Sequence, residues 1–260
     1  MRMTTRVLTR TIFALAAVCL SLAAHREADA ALFTGSSGSL AASADFSQSG
    51  TSLVVVLTNT SAVDVLVPAD VLTGVFFNIS GGTVVTNVSA VLTAGSSVFY
   101  DADGQPAGGV VGGEWAYESG LAGGGPGSGD SGISSTGLGL FGGANFPGPD
   151  LEPPPAVDGP QYGILSAGDL SGTGNGGITG SGGLIKNSVT FTFALSGTAT
   201  VSISDVWFQY GTDLAEPSFP GPGGGGQNPV PEPASMLIWS LGLAGLGLAA
   251  QRRRKALAAI

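Results

Sequence analysis

From Val189 to Leu195 the chain alternates. Val189, Phe191, Phe193 and Leu195 fall on one side of an extended backbone, and Thr190, Thr192 and Ala194 on the other. A two-residue period is the signature of a strand with one buried face and does not fit a helix over the same stretch. Thr198 to Tyr210 repeats the alternation through Val201 and Ile203 and then, in shifted register, through Val206 and Phe208, with Ser196-Gly197 as the turn before it. Upstream, Ser39 to Phe46 alternates small, apolar and polar residues, Gln48-Ser49-Gly50 signals a turn, and Leu53 to Leu57 is a β-branched run, so a hairpin is predicted there. Further strands are predicted at Val75 to Ile79, Val84 to Leu92, Ser97 to Tyr100, Glu114 to Tyr117, Tyr162 to Leu165 and Leu184 to Leu195. No segment between the two ends of the chain carries a helical period. Many short strands without α/β alternation predict a mainly β fold, an antiparallel β-sandwich of jelly-roll-like type. The Gly-rich tracts Gly104–Gly132 and Gly168–Gly183 are expected as long surface loops, and Pro153-Pro154-Pro155 breaks sheet pairing nearby. Residues 31–216 would form this domain, and the Pro- and Gly-rich residues 217–230 a flexible stalk.

Both ends read as targeting segments. Arg2, Arg6 and Arg10 precede an apolar run from Thr11 to Ala24, and Ala28-Asp29-Ala30 offers small residues at the two positions that signal peptidase reads. Residues 1–30 are therefore expected to be a signal peptide with a helical core, cut before Ala31. Lipid attachment at Cys19 is disfavoured because Val18 stands where a small residue is needed. At the other end, Ala234 to Ala250 contains no charged residue and is followed by Arg252, Arg253, Arg254 and Lys255. A helix over 234–250 reaches roughly 25 Å against a hydrocarbon core of ~30 Å, a mismatch that flanking residues or slight bilayer thinning absorb. The basic cluster at 252–255 holds its own side cytoplasmic and leaves the preceding chain outside.

Val230-Pro231-Glu232-Pro233 stands immediately before this span. Its two prolines fix an extended, solvated backbone, accessible to an enzyme at the membrane surface. The order of a Pro-Glu-Pro motif, a hydrophobic helix and an Arg-rich tail resembles the PEP-CTERM sorting signal. Pro231, Glu232 and Pro233 match the motif and Arg252 to Lys255 the basic tail; the short extension Ala256 to Ile260 departs from it. The resemblance implies recognition by exosortase, a membrane cysteine transpeptidase that cuts near the motif and passes the protein onward. Leu72-Thr73-Gly74-Val75-Phe76-Phe77, Gly113-Glu114-Trp115-Ala116-Tyr117, Gly132-Ile133-Ser134-Ser135, Gln161-Tyr162-Gly163-Ile164 and Phe208-Gln209-Tyr210-Gly211-Thr212 also resemble blocks of one group of exosortase-dependent surface proteins. That second resemblance implies no activity and carries no catalytic residues.

Charge narrows the function classes. Residues 31–230 hold fifteen acidic side chains and one basic residue, Lys186, a net charge of −14. Such a surface repels phosphate backbones, which excludes nucleic acid as an expected partner. Cys19 is the only cysteine and His25 the only histidine, and both fall in the signal segment. The exported domain thus lacks a thiol nucleophile, a disulfide, an imidazole base and a zinc cluster, leaving carboxylates, tyrosines and one lysine for any acid–base chemistry. No cofactor is expected.

Four local patterns remain. Asp101-Ala102-Asp103-Gly104 places two carboxylates two residues apart before a glycine, part of a calcium loop, but Gln105-Pro106 interrupts it and an Asp-Gly turn is the simpler reading. Asp130-Ser131-Gly132 matches an aspartic-protease loop without the second copy that a proton-sharing dyad requires, so a turn is expected. Glu114 and Glu118 flank Trp115 and Tyr117 as a glycosidase pair could, yet in a strand they share one face and the aromatics the other, the pattern of a solvated edge over a packed core. Trp207 and Tyr210 could stack sugars if exposed, although such residues more often belong to core or rim. Asn59, Asn78 and Asn87 stand in Asn-X-Ser sequons that need mean nothing in a bacterial chain. The expectation is a non-catalytic exported protein that passes through an inner-membrane intermediate to the cell surface or extracellular matrix. The resemblance adds exopolysaccharide as its neighbour. A carbohydrate-binding or adhesion module is the alternative, and a carboxylate-based hydrolase the second.

Overall fold

The computed structural model describes residues 29–100, 104–121, 124–143 and 145–223. Within them the turn at Gly50 falls where the sequence puts it. Strands β2 (Leu40–Ser49) and β3 (Ser52–Asn59) pair antiparallel with Ser49 opposite Ser52. Gly50 takes φ +60°, a backbone open to glycine without a Cβ penalty. An equally short turn joins β1 (Asp29–Ser37) to β2, with Ser37 opposite Leu40. Strands β11 (Ser188–Leu195) and β5 (Val84–Leu92) complete a five-stranded sheet in the order β1-β2-β3-β11-β5.

The second sheet is built on β4 (Leu72–Ser80) and runs β13-β12-β4-β9-β10-β6, from β13 (Ser218–Pro220) through β12 (Ser202–Tyr210), β9 (Ile164–Leu165) and β10 (Leu184–Lys186) to β6 (Ser97–Phe99). A branch, β7 (Ala116–Ser119) on β8 (Ser131–Ser134), pairs with β4 as well. The two sheets share one core. Phe46 of β2 meets Phe77 of β4 edge-on with ring centroids 5.1 Å apart, Trp115 meets Phe191 at 4.9 Å, and Tyr117 meets Phe193 at 5.0 Å. Val189, Phe191, Phe193 and Leu195 are all buried, as their alternation requires.

The chain is mainly β, with one α-helical turn, Gly176–Thr179, among the described residues. Two features depart from an antiparallel, jelly-roll-like plan. Strands β1, β2 and β3 form a meander within one sheet because two-residue turns force neighbours to pair. Strand β9 lies parallel to β10, so the second sheet is mixed. The run predicted as one strand from Leu184 to Leu195 breaks at Asn187, which takes φ +92° and sends β10 and β11 to opposite sheets. Ser196-Gly197 likewise carries the chain from one sheet to the other, and no hairpin forms there. The shifted register within β12 is a bulge between Ser204 and Trp207, with Asp205 at φ +50°.

The Gly-rich tracts are surface loops only in part: 168–183 is largely exposed, whereas 111–117 and 131–132 of the earlier tract are buried. Phe76, on the outer face of β4, packs with Ala116, Phe141 and Val157, so Leu121, Leu138, Leu140, Phe141 and Val157 add a further layer over the second sheet. Glycine is needed where this layer meets aromatic rings: a Cβ on Gly127 would stand 1.9 Å from Trp207 Nε1. In the later tract, Ile178 is buried with Val65, Val71, Leu165 and Leu184 in a separate small cluster. Residues 218–220, expected in the stalk, pair with β12, and Phe219 stacks on Tyr210 at 5.5 Å. Strand β1 includes Asp29 and Ala30, opposite Gln48 and Ser47, so a cut before Ala31 would remove two of its nine residue pairs. The other residues of the signal segment, including Ala28, and the span predicted at 234–250 lie outside the described residues. Among the described residues no helix is long and apolar enough to cross a membrane.

Phe191 touches both Trp115 and Phe146. Phe191→Ala should lower unfolding stability by about 3–5 kcal/mol, read from urea denaturation of the full-length chain in detergent.

Candidate functional site

Glu114 ends a 3-10 turn, Gly112–Glu114, that leads through Trp115 into β7. It was expected on a solvated face, yet it is only 6% exposed. The backbone explains the difference. Residues 112–114 are not part of a strand, so the two-residue period does not govern Glu114, and the segment 146–152 closes over it. A Cβ on Gly113 would lie 2.1 Å from the Pro149 carbonyl oxygen, so the covering chain approaches only because position 113 has no side chain. Glu114 Oε1 accepts hydrogen bonds from the backbone amides of Leu151 and, at 3.0 Å, Glu152. Burial pushes the Glu114 carboxyl above its usual range, opposed by these two amides. Glu118 is half-buried on β7, and Trp115 and Tyr117 are in the core. Glu114 is thus committed to holding backbone, and the aromatics beside it cannot receive a sugar.

Asp130 is exposed and immediately precedes β8 rather than sitting in a free turn. Its backbone amide donates to Asn78 Oδ1 at 2.8 Å, and Ser131 Oγ donates to Asp130 Oδ1 at 3.0 Å. Both groups serve the junction of β4 and β8. Asp101 and Asp103 lie outside the described residues, and among those described no group of three or more metal-ligating side chains is present.

Trp207 and Tyr210 part company. Tyr210 is fully buried, its hydroxyl donates to the Ala41 carbonyl at 2.9 Å, and burial pushes its pKa further above the neutral range. Trp207 is half-buried and lines a cleft of about 330 Å³ together with Ile203, Ser204, Asp205 and the 220–223 segment. The bulge at Asp205 makes this cleft by turning Trp207 away from the core face that Val206 and Phe208 occupy. Asn59, the first sequon residue, is buried with Nδ2 donating to the Ile164 carbonyl at 2.9 Å, so its nitrogen is already in use.

One cluster has no counterpart in the sequence reading. Asp169, 1% exposed, accepts the Val65 amide at 3.1 Å through Oδ1. Asp64 Oδ1 accepts the Leu170 amide and the Thr173 hydroxyl, each at 2.9 Å. Lys186 Nζ donates to the Asp169 main-chain carbonyl at 2.7 Å and sits 5.0 Å from the centre of the Phe99 ring. Burial is the main cause that pushes the Asp169 carboxyl up to about 6; the neighbouring Asp64 adds to it, while the Val65 amide and Lys186 oppose it. The Leu170 amide leads the contacts that hold Asp64 below its usual range. Asp64 and Asp169 are separated by more than a hundred residues, so no local spacing announces them; the one hint was Lys186, the single cation of an acidic domain.

Pro231, Glu232, Pro233 and Arg252 to Lys255 lie outside the described residues. Residues 229–255 match the family model of the PEP-CTERM protein-sorting motif, the C-terminal sorting signal of exosortase substrates. A signal of this kind directs export toward the cell surface by way of the membrane. No curated protein and no solved structure is matched by the chain.

Glu114→Ala leaves two inward amides without an acceptor and should lower stability by about 1–3 kcal/mol. Glu114→Gln keeps one carbonyl oxygen and should lose less. Denaturation of the two variants side by side checks the order.

Proposed function

We propose that the chain is a non-catalytic surface protein, held in the membrane by its C-terminal segment until exosortase processes it, and then placed at the cell surface or in the extracellular matrix. In this reading signal peptidase removes the N-terminal segment and the β domain acts structurally or adhesively, with exopolysaccharide as its surroundings. The observation that carries it is the sorting-motif match over residues 229–255. The domain's chemistry is consistent with it. The sequence-flagged carboxylate pair at Glu114 and Glu118 has one member tied to backbone amides, and the domain's one lysine is tied to a backbone carbonyl.

A carbohydrate-binding role is the second reading, favoured by one observation. Trp207 presents part of an indole to a cleft that also holds the Ser204 hydroxyl and the Asp205 carboxylate, an apolar face beside polar groups such as a sugar ring uses.

Mass spectrometry of the termini tests the first reading. In cells with exosortase the surface form should end near Pro231 to Pro233, and without the enzyme the full tail should persist in membranes; a surface-located protein that still carries residues 234–260 would sink it. Pull-down on purified matrix polysaccharide tests the second: Trp207→Ala should weaken retention by about 0.5–1.5 kcal/mol, or roughly two- to twelvefold, if the indole stacks on sugar.

A further inference from the structure

We propose that Asp64 and Asp169 form a proton-sharing clasp between the 63–67 and 168–173 loops, closed when one carboxyl is protonated and loosened when both are ionised. The geometry is reciprocal. Asp64 reaches across to the Leu170 amide, and Asp169 reaches back to the Val65 amide. Those bonds use Oδ1 of each residue. Asp169 Oδ2 is buried and receives no donor, and the neighbouring Asp64 carboxyl adds to burial in pushing the Asp169 carboxyl up. Two ionised carboxylates offer acceptors only and repel each other. A single proton between them converts that repulsion into a hydrogen bond and satisfies the buried oxygen.

The groups around the pair do not replace that proton. Lys186, from β10, donates to the Asp169 main-chain carbonyl and not to Oδ2, and Tyr100, just after β6, bonds its hydroxyl to the Leu170 and Thr173 carbonyls. Asp64, Lys186 and Tyr100 are the charged and titratable groups facing Asp169. The clasp also sits where opening has a consequence. Val65, Val71, Leu165, Ile178 and Leu184 form the small apolar cluster beneath the loops, while Val63, Leu66, Val67 and Leu170 are already exposed at its rim. Releasing the loops joins rim and cluster into one apolar face, so the clasp makes the size of that face depend on pH.

The sign follows from the raised pKa of Asp169. A carboxyl that titrates near 6 in the closed form and near ~4 when released stabilises closure fully below about pH 4 and stops doing so above about pH 6. Hydrogen exchange of the full-length chain in detergent, read at the Val65 and Leu170 amides, tests this. Beyond the intrinsic rise of exchange with pH, local opening should increase by roughly tenfold per pH unit between about pH 4 and 6 and then level off. Asp169→Asn supplies a permanent donor and should flatten the profile; Asp64→Asn supplies one from the other side and serves if the first variant does not fold. An unchanged slope in the folded variants overturns the proposal. So does restoration of wild-type protection at neutral pH by millimolar Ca²⁺, which would make a cation, not a proton, the bridge.

Discussion

The two sheets are held in one relation by buried polar bonds that have no substitute. Within each sheet the backbone satisfies itself, and a core of phenylalanines and valines alone tolerates sliding, because apolar contact is not directional. Asn59, at the end of β3, donates to the Ile164 carbonyl of β9 in the opposite sheet, and Tyr210 of β12 donates to the Ala41 carbonyl of β2. Both donors are buried. Displacing either sheet by a residue would strand them without water, at a penalty of about 1–3 kcal/mol for each group. The aromatic contacts between Phe46 and Phe77 and between Trp115 and Phe191 then pack into a frame that is already registered.

What the sequence disclosed, and what it did not, follows from how far each effect reaches along the chain. The β2–β3 hairpin, β5 and the register shift in β12 depend on neighbours a few residues apart, so alternation and turn residues were enough to find them. The Gly-rich tract 104–132 misled in part because glycine has two uses. It frees a loop, and it also removes a side chain where another element must come close; Gly113 under Pro149 and Gly127 under Trp207 belong to the second kind. Only the partner, supplied from far along the chain, separates the two. Strand β8 and β13 were hidden for the same reason. The sorting tail was the opposite case, since its Pro-Glu-Pro motif, apolar run and basic end are contiguous.

The same limit applies to charge. Fifteen acidic residues against one lysine in residues 31–230 describe a surface that repels anions, and counting says nothing of which carboxylates leave it. Glu114 and Asp169 do leave it, each for backbone amides that only the folded chain brings near. Glu114 obtains two amides from one segment and so ties down the 146–152 chain. Asp169 obtains one, and its second oxygen remains without a donor. That difference separates a carboxylate that only fastens from one whose surroundings respond to acidity.

The bridge between Phe33 and Gly223 places the last described residues beside β1, and β13, just before them, pairs with β12 over three residues only. Any tension drawn through the C-terminal tail therefore enters the domain at a three-residue edge strand. The load would next meet Phe219, wedged against Phe208 and Tyr210, and the close approach of the Pro220 carbonyl to Gly35. Yielding there would lengthen the tether by a few residues while β4, β11 and the aromatic core behind them stay assembled, a fuse at the edge rather than a fracture through the centre.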